Sequence, residues 1–313
     1  MLRCSIVIRA YNEEVHIGRL LEGIKKQTVH AVEVIVVDSG STDRTVEIAA
    51  ENGAKIVKIS PQDFSFGRSL NKGIETADSE LIVIASAHVY PVFPDWLEKL
   101  LNPFSNPEIA LVYGKQRGNK DSHFSEQQIF ISWYSELSKI PQENPFCNNA
   151  NAAIRKEFWL QHRYDETLPG LEDLEWAKWA IAQNLKVAYS AEAEIVHVHD
   201  ESWKGIHKRY LREGMAFKQI YPHEQFSYLE FLRFFLKNAI NDMRAAIRKT
   251  RFRREWLNII RFRWQQFHGT YMGYKRSGPL TWQLKQSFYY PQNGIEKPAK
   301  SKNPRSVEPI QYD

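Results

Sequence analysis

Short apolar runs alternate with longer amphipathic stretches over the first 113 residues of the chain. Residues 4–8 form one such run, which stops at Arg9-Ala10-Tyr11-Asn12-Glu13. Val15, Ile17, Leu20, Leu21 and Ile24 then recur at helical spacing as far as Gln27. Residues 32–37 are nearly all apolar, the pattern of a strand buried on both faces. Their exit loop, Asp38-Ser39-Gly40-Ser41-Thr42-Asp43, offers Ser41 or Thr42 as the cap of a helix that carries Val46, Ile48 and Ala49 and stops near Gly53. Residues 55–59 read as a third strand, 67–74 open a helix, and 81–88 form a fourth strand. Pro94 begins a further helix, and 109–113 form a fifth strand. Strands alternating with helices predict a mostly parallel central sheet with helices on both faces, an α/β fold.

The pattern changes downstream. Residues 114–150 are polar and aromatic, with a helix expected over 125–138 and a loop from Pro141 to Pro145. Residues 151–155 fit a strand, or a turn before a helix at 156–161. Pro169-Gly170-Leu171 turns into Glu172-Asp173, ahead of a helix bearing Trp176 and Trp179. Residues 187–189 and 194–199 read as two short strands, the second placing His197 and His199 on one face. A helix is expected over 203–219. From 226 to about 264 the chain is helical, basic and aromatic, with Leu229, Leu232, Leu236, Ile240, Met243 and Ile247 spaced to line one face. Three units follow from this: an α/β domain over 1–220, a basic amphipathic helical extension over 221–290, and a disordered tail over 291–313.

Composition and charge refine this picture. The chain has 313 residues, 43% of them hydrophobic, enough for one large α/β domain with appendages or for two domains. Its two cysteines, Cys4 and Cys147, lack metal-type spacing and suit a reducing cytoplasm. The first apolar run ends at Arg9, too soon for a signal peptide, and nothing approaches the roughly 20 apolar residues of a membrane span. The net charge of +5 is local in origin. Residues 230–276 hold 12 Lys/Arg against 3 Asp/Glu, and the remainder holds 30 against 34. No nucleic-acid-binding motif accompanies this charge, so nucleic acid is not the expected partner and an anionic membrane surface is. The expected location is cytoplasmic, peripheral at the inner face of the membrane.

The first strand-to-helix turn lacks Gly-x-Gly-x-x-Gly, and no Gly-Lys-Ser/Thr phosphate loop occurs. Dinucleotide and P-loop sites are therefore not expected. Four other features carry a resemblance. They are Ser5-Ile6-Val7-Ile8-Arg9-Ala10-Tyr11-Asn12-Glu13; Val36-Val37-Asp38-Ser39-Gly40-Ser41-Thr42-Asp43; Gly67-Arg68-Ser69-Leu70-Asn71-Lys72-Gly73-Ile74; and Glu172-Asp173 before a Trp-bearing helix. In this order the chain resembles a family 2 glycosyltransferase of the GT-A fold over residues 4 to about 182. The resemblance implies an inverting enzyme that moves a sugar from a nucleotide-sugar donor to a hydroxyl of a saccharide or lipid-linked acceptor, in surface polysaccharide or glycolipid synthesis. The competing reading is a catalytically silent GT-A domain that binds nucleotide or partner proteins.

The resemblance also distributes roles. Asp38 would accept a hydrogen bond from the donor base, with Ala10, Tyr11 and Glu13 lining the same pocket. Arg68 would meet phosphate, the alternative being a solvated surface arginine. Asp173, ahead of Glu172, would act as the general base on the acceptor hydroxyl. At the end of the fourth strand the chain departs from the family. The usual Asp-x-Asp is replaced by Ser86-Ala87-His88. Ser86 remains a donor-binding candidate. His88 with His199 is the expected ligand set for a divalent metal, Mn²⁺ or Mg²⁺, although imidazole suits Mn²⁺ better. Failing a metal, Arg209 or Arg212 would neutralise the leaving diphosphate.

Overall fold

β1 (Arg3–Ala10) organises the first half of the fold in the computed structural model, which describes residues 3–276 and 307–312. Ile6 and Ile8 project to one face of β1 and Val7 to the other, and each face is covered. The chain continues through α1 (Ile17–Lys25), β2 (Ala31–Asp38), α2 (Thr45–Glu51), β3 (Lys55–Lys58), α3 (Phe66–Thr76) and β4 (Leu81–Ser86). β2 and β4 flank β1 in parallel, and β3 pairs with β2. The register sets Ala10 beside Asp38 and Arg9 beside Ser86, so the carboxyl ends of three strands meet at one edge. Ligands of open α/β sheets gather at such an edge.

The second half interleaves directions. β5 (Val89–Pro91), α4 (Trp96–Leu101), β6 (Ile109–Arg117), α5 (Phe124–Trp133), β7 (Lys139–Gln142), β8 (Asn151–Arg155), α6 (Lys156–Gln161), α7 (Glu172–Ala182) and β9 (Lys186–His197) follow. The sheet order is β3-β2-β1-β4-β8-β6-β9-β5, with β7 on β9. β8 runs antiparallel between β4 and β6, while β6 and β9 are parallel. Leu20, Trp96 and Leu97 fill the core on one face, and Leu70, Ile74 and Trp176 fill it on the other.

Several expectations are corrected here. β9 is one continuous strand, and two of its polar residues find partners on neighbouring elements. Ser190 Oγ donates to the Lys99 carbonyl at 2.9 Å, and Glu194 pairs with Arg117 at 2.8 Å. The loop expected from Pro141 begins inside β7. Ser41 and Thr42 do not cap α2. Asn12 N donates to Ser41 Oγ at 2.9 Å, and Thr42 N donates to Asn12 Oδ1 at 2.8 Å. The start of α2 is held instead by Asp43, whose Oδ1 accepts from Thr45 N at 3.0 Å.

Three helices close the chain: α8 (Trp203–Ile220), α9 (Tyr228–Arg248) and α10 (Phe252–Lys275). α8 and α10 meet backbone to backbone at glycines. A Cβ on Gly273 would lie 2.3 Å from the Leu211 carbonyl, and one on Gly214 would lie 2.7 Å from that of Thr270. The crossing therefore admits no side chain at either position. A capping box at Ser227 and Glu230 starts α9. Its buried side carries Phe231, Ala239, Asp242 and Ala246. Leu229, Leu236, Ile240 and Ile247 of the expected stripe point outward and are 45 to 76% exposed.

Residues 307–312 were expected in a disordered tail. They pack instead against β5, the edge strand. Ile310 N donates to the Val92 carbonyl at 2.9 Å, and the Tyr312 hydroxyl donates to the Pro91 carbonyl at 2.5 Å. Covering an edge strand satisfies polar groups that would otherwise stand open. The rest of the expected tail, and residues 277–290 of the extension, lie outside the described residues.

Candidate active site

The first strand edge holds the donor-side candidates. Asp38 is buried, and its carboxylate accepts from Gly40 N at 3.1 Å and Ser41 N at 3.2 Å. Gly40 has φ +94°, a turn that suits glycine. Ala10 is buried beside Asp38, and Tyr11 is half-buried on the turn above. Ser86 neighbours Arg9 in register. The structure thus brings Ala10, Tyr11, Asp38 and Ser86 to one edge.

Glu13 belongs to a second cluster. Its Oε1 lies 2.7 Å from His88 Nδ1. Antiparallel pairing of β5 with β9 sets Val89 opposite His197, and Val198 N donates to the His88 carbonyl at 3.0 Å. The rings of His88 and His197 stack at 5.1 Å, and those of His197 and His199 lie 3.9 Å apart. His88 and His199 therefore come together as expected, with His197 between them. The three offer ligand atoms within 4.8 Å of one another. His199 Nδ1 meets Glu126 Oε1 at 2.7 Å, and Arg209 donates to the same oxygen at 2.7 Å. Burial opposes the charge on Glu126, but His199 and Arg209 outweigh it and hold the carboxyl at about 2. Burial, with His199 and His88 nearby, pushes His197 well down, so its imidazole is neutral. Its Nε2 is buried without a partner. A buried, neutral, unpartnered imidazole nitrogen between two further histidines fits a divalent metal.

Glu172 and Asp173 open α7, both buried. They diverge in environment. Glu172 pairs with Arg9 at 3.2 Å. Asp173 accepts from Asn149 N and Leu174 N, each at 2.8 Å. Burial and then the Glu172 charge push Asp173 up to about 7, against the pull of those two bonds and of Arg9. Leu171, just before the helix, holds left-handed backbone at φ 57°. Such strain costs on the order of 1–3 kcal/mol and concentrates at functional sites.

Asp173, not Glu172, lines a cavity of about 640 Å³. Its walls are rich in rings: Tyr113, Trp133 and Phe146 from one side, Tyr210, Phe217 and Tyr274 from the C-terminal helices, and Phe226 from the loop before α9. Glu213 also lines it, raised by burial against Arg209 and Arg212. The ring wall supplied by α8, α10 and the loop at Phe226 was missed in the sequence, where its only signal was the aromatic density after residue 226.

Two arginine expectations change. Arg68 Nε donates to Glu166 at 2.6 Å, and its Nη1 donates to the Asp63 carbonyl at 3.1 Å. It ties α3 to the segment after α6. Arg209 is already neutralised by Glu126 and by Glu201 at 2.8 Å. Arg212 is the second of the two candidate cations. It lies over Phe66 at 4.6 Å, with Arg9 over the same ring at 4.5 Å.

This sheet order, with helices on both faces, is a GT-A fold. The chain belongs to glycosyl transferase family 2, whose sequence model matches residues 5–161. It is an inverting nucleotide-sugar glycosyltransferase. It is 29% identical to the O-antigen chain rhamnosyltransferase RfbN of Salmonella typhimurium over 68% of this chain and 72% of that one. It is 26% identical to the O-antigen chain rhamnosyltransferase WbaN of Salmonella anatum over 67% and 71%. Its fold matches that of the mannosyltransferase PcManGT from Pyrobaculum calidifontis, solved with GDP-Man and Mn²⁺, at a TM-score of 0.59, 15% identity and 88% coverage of each chain.

Proposed function

We propose that the chain transfers a deoxyhexose such as rhamnose from its nucleotide donor to a saccharide hydroxyl on a membrane-borne acceptor, in assembly of a surface polysaccharide. The observation that carries this reading is the buried, near-neutral carboxyl of Asp173 in the wall of a ring-lined cavity. Aromatic walls stack against the apolar faces of sugar rings, which supports reading the cavity as the acceptor side. Asp173 takes the proton of the acceptor hydroxyl, and that oxygen attacks the anomeric carbon of the donor. The bond from that carbon to the diphosphate oxygen breaks, and the configuration inverts. Arg9 holds Glu172, which positions α7 and Asp173. Asp38, Ala10 and Tyr11 hold the base, with Ser86 toward the diphosphate. His88 and His199 would hold a divalent ion, which when bound would supply positive charge toward the diphosphate.

A panel of UDP-, dTDP- and GDP-sugars, rhamnose donors included, tests this by donor hydrolysis and by transfer to saccharide acceptors. Turnover with a rhamnose donor is expected. Nucleotide binding without turnover on any donor would leave the silent-domain reading standing.

The acceptor's membrane location draws on α9 and α10. Arg233, Lys237 and Arg244 flank the outward stripe of Leu229, Leu236, Ile240 and Ile247, and exposed Trp256 and Leu257 lie on the neighbouring helix. Basic residues beside exposed apolar and aromatic side chains suit an anionic lipid interface. Among the described residues, no helix is long and apolar enough to cross a membrane. Flotation with phosphatidylglycerol vesicles should be lost in Leu236→Glu/Ile240→Glu, a surface change that spares the α8–α10 crossing. Equal flotation of variant and wild type would discard the lipid surface.

A further inference from the structure

We propose that His88, His197 and His199 form a three-imidazole site for a first-row transition ion, such as Mn²⁺, Co²⁺ or Zn²⁺, and that this ligand set discriminates against Mg²⁺. This extends the donor-site reading above by a third ligand and by the class of ion. It starts from the order of hydrogen bonds around the cluster. The Nδ1 atom of each ring is already engaged: His88 with Glu13 at 2.7 Å, His197 with Gln116 at 2.8 Å, and His199 with Glu126 at 2.7 Å. Each of these three partners presents an oxygen, two of them carboxylates, and Arg209 Nη1 lies farther off, 3.3 Å from His199 Nδ1. An acceptor at Nδ1 fixes the proton there and leaves the Nε2 lone pair free. Metal-ligating histidines are held in this way by outer carboxylates and amides.

The His197 Nε2 is buried and has no partner, a cost that structures seldom leave uncompensated. A bound ion would satisfy it. The outer shell is itself braced, since Arg209 holds Glu126 and Thr45 Oγ1 accepts from Glu13 N at 2.7 Å. Sequence separation made this arrangement hard to see. His88 reaches the other two only because the short strand after it pairs with the end of β9. Neutral imidazoles favour Mn²⁺, Co²⁺ and Zn²⁺, whereas Mg²⁺ demands oxygen ligands and sheds water reluctantly.

The test uses the full chain stripped with EDTA, without donor. Titration calorimetry with Mn²⁺, Zn²⁺, Co²⁺ and Mg²⁺ is paired with the visible d–d spectrum of the Co²⁺ form. One ion per chain is expected for the first three, with Mg²⁺ weaker by on the order of 100-fold or more. Glu13→Gln should weaken Co²⁺ binding by about 10- to 100-fold. His197→Ala should weaken it at least as much and change the spectrum. His88→Ala, at a half-exposed position less prone to unfold the sheet, should do the same. Mg²⁺ binding as tight as Mn²⁺, an unchanged Co²⁺ spectrum in folded His197→Ala and His88→Ala, or no bound ion at all would overturn the proposal. Metal binding in a protein that turns over no donor removes the transfer reading alone. Turnover that persists in EDTA, in a protein that binds no ion, removes the metal site alone.

Discussion

Asp173→Asn lowers kcat by about 10²- to 10⁴-fold and leaves nucleotide affinity unchanged, the range over which a positioned general base contributes. The substitution keeps the shape of the side chain and one acceptor oxygen for the two backbone N–H groups of Asn149 and Leu174. It removes the ability to take a proton. The pH profile separates this role from a merely structural one. Wild-type kcat/KM should rise as pH climbs through about 7, where the raised carboxyl ionises, and the residual activity of the variant should lack that limb. Stability should move the other way. A carboxyl raised in the folded state, from 3.8 to about 7, favours folding below its unfolded value and loses that contribution as pH rises through its folded value. Wild type is thus penalised above neutrality for ionising a buried acid next to Glu172. The Tm of Asp173→Asn relative to wild type should therefore increase from about pH 5 to about pH 8. An unchanged kcat, or a Tm difference flat in pH, would remove Asp173 from the base role.

The sheet was legible because it is built locally. β1, β2, β4 and β6 are continuous apolar runs, and burial on both faces is what such runs specify. The strand edge that carries Tyr11, Asp38 and Ser86 was legible for the same reason, since each stands where a run breaks into polar residues. The acidic pair at the start of α7 was visible as well, but not the difference between its members. That difference comes from Arg9 on one side and the cavity on the other, both far away in sequence.

The histidine cluster was half legible. Alternation along a strand put His197 and His199 on one face, but the strand that brings His88 to them is Val89-Tyr90-Pro91, too short and too proline-marked to announce itself. Proline is tolerated there because the strand lies at the edge of the sheet. The direction of α9 was not legible at all. Periodicity finds an apolar stripe, but not which side of the helix a partner covers. On α9 the covered side carries Phe231, two alanines and a buried charge, and Leu229, Leu236, Ile240 and Ile247 face outward.

That buried charge leads to the second large effect. Arg263→Ala should cost about 3–5 kcal/mol of folding stability, the range for leaving one member of a buried ion pair uncompensated. Arg263 and Asp242 are each about 4% exposed or less. Arg263 Nε meets Asp242 Oδ2 at 2.7 Å and Nη2 meets Oδ1 at 3.0 Å, a two-point contact that fixes α10 on α9. Its Nη1 also donates to Gln266 at 2.7 Å, and its Nη2 to the Ser125 carbonyl of α5 at 3.4 Å. One guanidinium thus joins three helices, and Gln266, Thr270 and Tyr274 farther along α10 line the cavity. Loosening α10 should raise the acceptor KM of surviving Arg263→Ala protein. Urea unfolding and acceptor kinetics read the two effects separately. Arg263→Met combined with Asp242→Leu should recover most of the lost stability, because it removes both charges instead of stranding one. If the single variant unfolds at the same urea concentration as wild type, the pair does not hold the C-terminal helices in place, and the shape of the acceptor wall must be set by the glycine crossing of α8 and α10 alone.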